Sequence, residues 1–285
     1  MKTNRIELGR GAFSYLEDGP SDGPLALLFH GFPDIPRTFQ AQLAALAEAG
    51  YHAVAPWMRG YAPSTLQPPF DGEQLSGDMV ALAEALGGGK PVELIGHDWG
   101  AVYAYQAVAR APQLFRHLVT MAVPHPTTSG ENMGRSPAQL RRSWYVFFLQ
   151  LGGFADSRVA KDDFALIERL WRDWSPGYRA PPEHLAELKR CLKESMPAPT
   201  RYYRTALRPG ELSRSRRLFS GSPVSVPTLH LHGAQDGCIG PEMGKGQERH
   251  FNGRFSSEIV PGAGHFLHLE RPDEVNARIL AWLKQ

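Results

Sequence analysis

Along the first third of the chain, short apolar runs alternate with stretches in which apolar residues recur every three or four positions. Residues 25–30, 52–56, 92–95 and 115–123 read as strands, and 25–30 is a run of the kind buried on both faces of a sheet. Between them, 36–49 spaces Phe39, Leu43, Leu46 and Ala47 as one helical face and stops at Gly50. Residues 75–86, closed by Gly87, Gly88 and Gly89, and residues 101–109 read as further helices. Residues 5–8 and 12–16 form a leading strand pair through Gly9 and Gly11, and turn chemistry follows at 18–24. Strands alternating with helices of about 12 residues predict an α/β fold, a mostly parallel sheet with helices on both faces.

The rhythm changes after Pro124. From 125 to 222 the pattern is helical, with segments at 138–151, 162–171, 183–193 and 200–207 and no strand. Alternation then resumes, with strands at 227–232 and 256–260 and helices at 241–250 and 272–284. This predicts a core built from 1–124 and 223–285, interrupted by an all-helical cap at 125–222. A cleft between two such units is a usual ligand site.

Composition narrows the class. With 285 residues, 42% of them hydrophobic and 21% charged, the chain can bury a large core unaided. A net charge of +2 supplies no basic field for nucleic acid or a membrane surface. Two cysteines, a polar start (MKTNRIELGR) and no apolar run of roughly 18 residues predict a soluble, cytoplasmic protein, and monomer and homodimer both stay open. The 11 histidines include no H-E-x-x-H and no zinc spacing. His230 and His232 share a strand face without a carboxylate set beside them, so no metal is expected. Gly87, Gly88, Gly89 and Lys90 precede a strand instead of following one, which argues against a phosphate loop and leaves no cofactor expected.

Chemistry concentrates where the strand 92–95 runs into Gly96, His97, Asp98, Trp99 and Gly100, and a helix follows. Small residues at 96 and 100 suit a strained strand-to-helix turn that lifts the central side chain above the sheet edge. Asp236 follows a later strand, and His265 the next, in the order nucleophile, acid, histidine. Aspartate in place of serine changes the reaction. A carboxylate is an anion at neutral pH and needs no base to attack a saturated carbon. It leaves an ester, which histidine-activated water can hydrolyse, whereas serine would leave an ether.

These features, with His30-Gly31-Phe32-Pro33 and Arg59-Gly60-Tyr61, resemble the α/β-hydrolase superfamily and, within it, the epoxide hydrolases. The resemblance implies an α/β-hydrolase fold with a helical cap and conversion of an epoxide to a vicinal diol through an alkyl ester on Asp98. His265 would be the base and Asp236 its orienting acid. The backbone N–H groups of Phe32 and Trp99 would form the oxyanion hole. The cap segment Ser143-Trp144-Tyr145-Val146-Phe147-Phe148 resembles one that supplies an acid, giving Tyr145. Arg201-Tyr202-Tyr203-Arg204 resembles the other, where the tyrosine before the arginine matches, giving Tyr203. Tyr202 and Tyr203 point about 100° apart on a helix, so only one should face the cleft. Phe32, Trp99, Trp144, Phe147 and Phe148 would supply an apolar wall suited to an apolar or aromatic small-molecule epoxide. A haloalkane or haloacid dehalogenase would use the same nucleophile; many haloalkane dehalogenases have Asn at the position of Phe32, and halide needs no acid. The tyrosine pair favours the epoxide.

Overall fold

The computed structural model describes residues 1–220 and 223–285. Eight strands form one sheet: β1 (Lys2–Leu8), β2 (Gly11–Asp18), β3 (Leu25–Phe29), β4 (His52–Pro56), β5 (Val92–His97), β6 (Phe115–Met121), β7 (Thr228–Gly233) and β8 (Phe255–Val260), in the order β1-β2-β4-β3-β5-β6-β7-β8. The contacts of β2 with β1 and β4 are antiparallel and the rest are parallel.

The core helices are α1 (Gln40–Glu48), α2 (Gly72–Leu86) and α3 (Trp99–Arg110). Between β6 and β7 lie α4 (Pro126–Met133), α5 (Pro137–Arg142), α6 (Trp144–Phe148), α7 (Gly153–Trp174), α8 (Pro182–Ser195), α9 (Ala198–Ala206) and α10 (Pro209–Ser220). The chain ends in α11 (Leu267–Glu270) and α12 (Pro272–Leu283). Among the described residues no helix is long and apolar enough to cross a membrane.

The period-2 geometry of a strand divides the core between the two faces of the sheet. In β3, Leu25, Leu27 and Phe29 join an apolar cluster with Met79, Tyr103, Ile167 and Trp171. Ala26 and Leu28 face the other way, into a cluster with Leu43, Val275 and Ile279. Strand order reverses at β3, which lies between β4 and β5. A crevice at the carboxyl ends of such strands is where open α/β sheets place their ligands.

Several sequence expectations need correction. Residues 138–151 are not one helix: the chain breaks at Ser143, between α5 and α6, and tightens into a 3₁₀ turn at Leu149–Leu151. The helix expected at 241–250 is two 3₁₀ turns, Pro241–Gly244 and Gln247–His250, because Gly246 between them is left-handed. The helix at 162–171 is the second half of α7, which bends through non-helical backbone at Lys161, Asp162, Asp163 and Phe164. α4 and α10 were not expected; the PTTSGENM of α4 carries no apolar period. The boundary expected at 222 falls outside the described residues.

Candidate active site

Asp98 lies between β5 and α3 with φ 52° and ψ −121°, a backbone conformation costly for a residue with a Cβ. Packing requires the bend. A Cβ on Gly100 would stand 2.0 Å from the Phe29 carbonyl oxygen, and one on Gly96 would stand 2.6 Å from Gly100. Glycine at both positions lets α3 start hard against the sheet, and Asp98 is pushed out at its N-terminal end, where free N–H groups favour negative charge.

The two oxygens of Asp98 have different neighbours. Oδ1 accepts the Phe32 N–H at 2.7 Å, and Oδ2 stands 3.6 Å from His265 Nε2. Phe32 comes from the loop after β3, so the strand-order switch brings these groups together. That loop passes so close that a Cβ on Gly31 would meet Asp98 Oδ1 at 2.2 Å and the Trp99 nitrogen at 2.6 Å.

His265 is completely buried, and its Nδ1 donates to Asp236 Oδ2 at 2.9 Å. Asp236 Oδ1 accepts the backbone N–H groups of Cys238 and Ile239 at 2.7 and 2.8 Å. Burial alone would lower the basicity of His265. The charges and hydrogen bonds of Asp236 and Asp98 outweigh it and raise the imidazole to about 10. Burial likewise acts to raise Asp236, but His265 and the surrounding donors bring its carboxyl below the usual range.

The helical block closes over this constellation. The Tyr203 ring meets those of Trp99, Phe32 and Tyr145 edge-on, with centroids 5.0, 5.3 and 5.6 Å away. The Tyr145 hydroxyl is 3.2 Å from Cys238 Sγ. Burial, with nearby negative groups including Asp98, raises both phenols well above their ordinary range, so both stay protonated. Among the buried polar atoms without a hydrogen-bond partner are Tyr203 Oη, His265 Nε2 and Trp99 Nε1. Tyr202 differs from its neighbour: its hydroxyl donates to the Arg59 carbonyl, and its ring lies between Tyr61, Phe70 and Tyr103.

Asp98, Asp236, His265, Tyr145, Tyr203, Phe32 and Trp99 are thus brought together as the sequence reading expected. Trp144, Phe147 and Phe148 are not. Helical spacing buries Tyr145 and Leu149 and turns Phe147 outward, where it is 55% exposed. Trp144, also exposed, packs on Phe148, and Phe148 on Phe154. These rings form an outer layer of the block, not a wall around Asp98.

Trp174 was missed. It is buried between Tyr145 and His265, with centroids 4.9 and 5.1 Å away, and its carbonyl accepts the N–H groups of Gly237 and His265 at 3.0 and 3.1 Å. Its only sequence signal is an aromatic residue just before the Ser-Pro-Gly turn at 175–177. His268 bonds Thr38 at 2.6 Å and makes no hydrogen bond with Asp98, Asp236 or His265 among the described residues. Asp236, Cys238 and His265 bring three possible metal donors within 4.8 Å of one another. The Asp236 carboxylate and His265 Nδ1 of that set already engage each other.

Residues 24–272 match the family model described as alpha/beta hydrolase fold. The chain is 34% identical to epoxide hydrolase 3 of Xenopus tropicalis over 284 residues, covering 96% of this chain and 75% of that protein. It is 31% identical to epoxide hydrolase 4 of Mus musculus over 285 residues, covering 96% and 76%. A Bacillus megaterium epoxide hydrolase, solved with an inhibitor, superposes with a TM-score of 0.87 over 99% of this chain and 100% of that one, at 24% identity; this likeness speaks to the fold. From the family match and the identity to these relatives, the chain belongs to the epoxide hydrolases of the α/β-hydrolase family.

Proposed function

We propose that the chain opens an apolar or aromatic epoxide to a vicinal diol in two steps, with residues 125–222 serving as the cap over a core made of 1–124 and 223–285. Asp98 Oδ2 attacks an epoxide carbon, because Oδ1 is held by the Phe32 N–H. The ring oxygen leaves as an alkoxide, about as basic as hydroxide, and needs a proton. Tyr145 and Tyr203 donate to it from the cap side.

The ester carbonyl that forms is Oδ1, already resting on the Phe32 N–H, with the Trp99 N–H beside it. These two donors receive the oxyanion when water attacks, a contribution typically worth about 10²–10³ in rate each. Alkylation also cancels the charge on Asp98, one of the two carboxylates that raise His265. The imidazole therefore becomes a usable base in the ester intermediate, where water must be deprotonated. Asp236 keeps its orientation throughout.

The observation that carries this reading is the division of Asp98 between Phe32 at 2.7 Å and His265 at 3.6 Å. The tyrosine pair beside it favours an epoxide over a haloalkane, which releases halide without a proton. Free buried thiols at Cys191 and Cys238 support a cytoplasmic setting. A single turnover in ¹⁸O-water tests the proposal: label enters Asp98 first, and label found directly in the diol would mean that water attacks the epoxide itself.

A further inference from the structure

Behind Asp236, away from the nucleophile, a file of buried polar side chains runs through the sheet. Tyr105 Oη lies 2.8 Å from Thr120 Oγ1, and Thr120 Oγ1 lies 3.1 Å from His230 Nδ1. His230 Nε2 is 3.3 Å from His232 Nδ1. His232 Nε2 is 2.8 Å from the Ile239 carbonyl and 3.5 Å from Asp236 Oδ2. All four side chains are buried, on α3, β6 and β7.

The neighbours fix where the protons are. His232 Nε2 faces two acceptors, a carbonyl and a carboxylate, so it carries hydrogen. Burial keeps both imidazoles neutral. His232 Nδ1 is then a bare acceptor, so His230 must donate through its own Nε2. His230 Nδ1 in turn accepts from the Thr120 hydroxyl, and Thr120 accepts from Tyr105. Every donor in the file therefore points one way, towards Asp236.

We infer that His232 is a positioning residue for the second step: its Nε2–H, oriented by His230, Thr120 and Tyr105, holds the Ile239 carbonyl and faces Asp236 Oδ2 at 3.5 Å, and through the loop at Ile239 it fixes the carboxylate that aims His265. The inference rests on the proposed roles of Asp236 and His265. Ile239 also donates its own N–H to Asp236 Oδ1, so one imidazole steadies the loop and one oxygen of the acid together. The first step does not use His265, so it should not depend on His232.

Stopped-flow and quenched mass spectrometry on the full chain separate alkylation of Asp98 from decay of the ester. His232→Leu is expected to slow decay about tenfold, the upper worth of a neutral hydrogen bond, while alkylation keeps its wild-type rate. His232→Gln, which can present an N–H at the same reach, should restore most of the loss. Equal slowing of both steps, or a Gln variant as slow as Leu, would overturn the inference.

Asp236→Asn separates the two ideas. If it slows decay and His232→Leu does not, the role of His232 falls alone; if it leaves decay untouched, the triad assignment falls and takes this inference with it. In ¹⁵N-histidine-labelled wild-type enzyme, both His230 and His232 should show the Nε2–H tautomer. An Nδ1–H at either one breaks the file. Thr120→Val should disturb that pattern at His230 without touching the groups around Asp98.

Discussion

His265 Nε2 stands 3.6 Å from Asp98 Oδ2, so the imidazole faces that carboxylate directly while its other nitrogen is held by Asp236. One imidazole lies between two carboxylates, and its proton stabilises the resting enzyme. The folded value of about 10 lies above the ordinary 6.5. Stability from this group is therefore complete below 6.5 and is lost as pH rises through 10. The thermal midpoint of wild type should lead that of His265→Gln most below pH 6.5, and the lead should shrink as pH rises towards 10. A lead that stays constant over this window would contradict the charge arrangement.

Removing the base should also trap chemistry. In His265→Gln the ester on Asp98 should form and persist, with hydrolysis slowed by about 10²–10⁴. Intact-mass measurement under saturating epoxide should show the protein heavier by one substrate. An enzyme that turns over slowly without any adduct would remove Asp98 from its role.

The tyrosines give a three-way comparison. Tyr145→Phe and Tyr203→Phe should each slow ester formation by about 10²-fold or more, within the range for a positioned acid. Tyr202→Phe loses a buried bond to the Arg59 carbonyl instead. It should cost about 1 kcal/mol of stability and leave ring opening near the wild-type rate. Rapid-quench alkylation rates and thermal melts on the three variants test the assignment. If Tyr202→Phe proves to be the variant slow in ring opening, the two neighbours have been exchanged.

Gly100→Ala probes the elbow. The new methyl would press on the Phe29 carbonyl at 2.0 Å, and neither backbone can yield cheaply. Overpacking at a tight site costs typically about 1–3 kcal/mol, so a lowered melting midpoint with reduced activity is expected. Wild-type stability in this variant would mean that the helix does not start where it is placed.

The strands and core helices were readable because each announces itself locally. The short runs at 25–30 and 92–95 became β3 and β5 almost residue for residue. The elbow was readable too, since Gly96, Asp98 and Gly100 lie within five residues of one another. The helical block was harder. Ser143 breaks a pattern that apolar spacing alone would continue, as Gly246 does in the core between β7 and β8, and α4 has no apolar period to detect. At the site, Trp174 and His232 escaped because their importance comes from what the fold brings to them. His232 was visible only as one of two histidines on a strand face. Phe147 was misplaced because a run of aromatic residues was read by composition, while its helix exposes one side.

Two tryptophans at the end of α7 tie the block to the core. Trp171 Nε1 donates to the Pro33 carbonyl at 3.0 Å, next to the loop that carries Phe32, and Trp174 holds the backbone at Gly237 and His265. Lifting that corner would therefore unseat His265 and shift the Phe32 loop together.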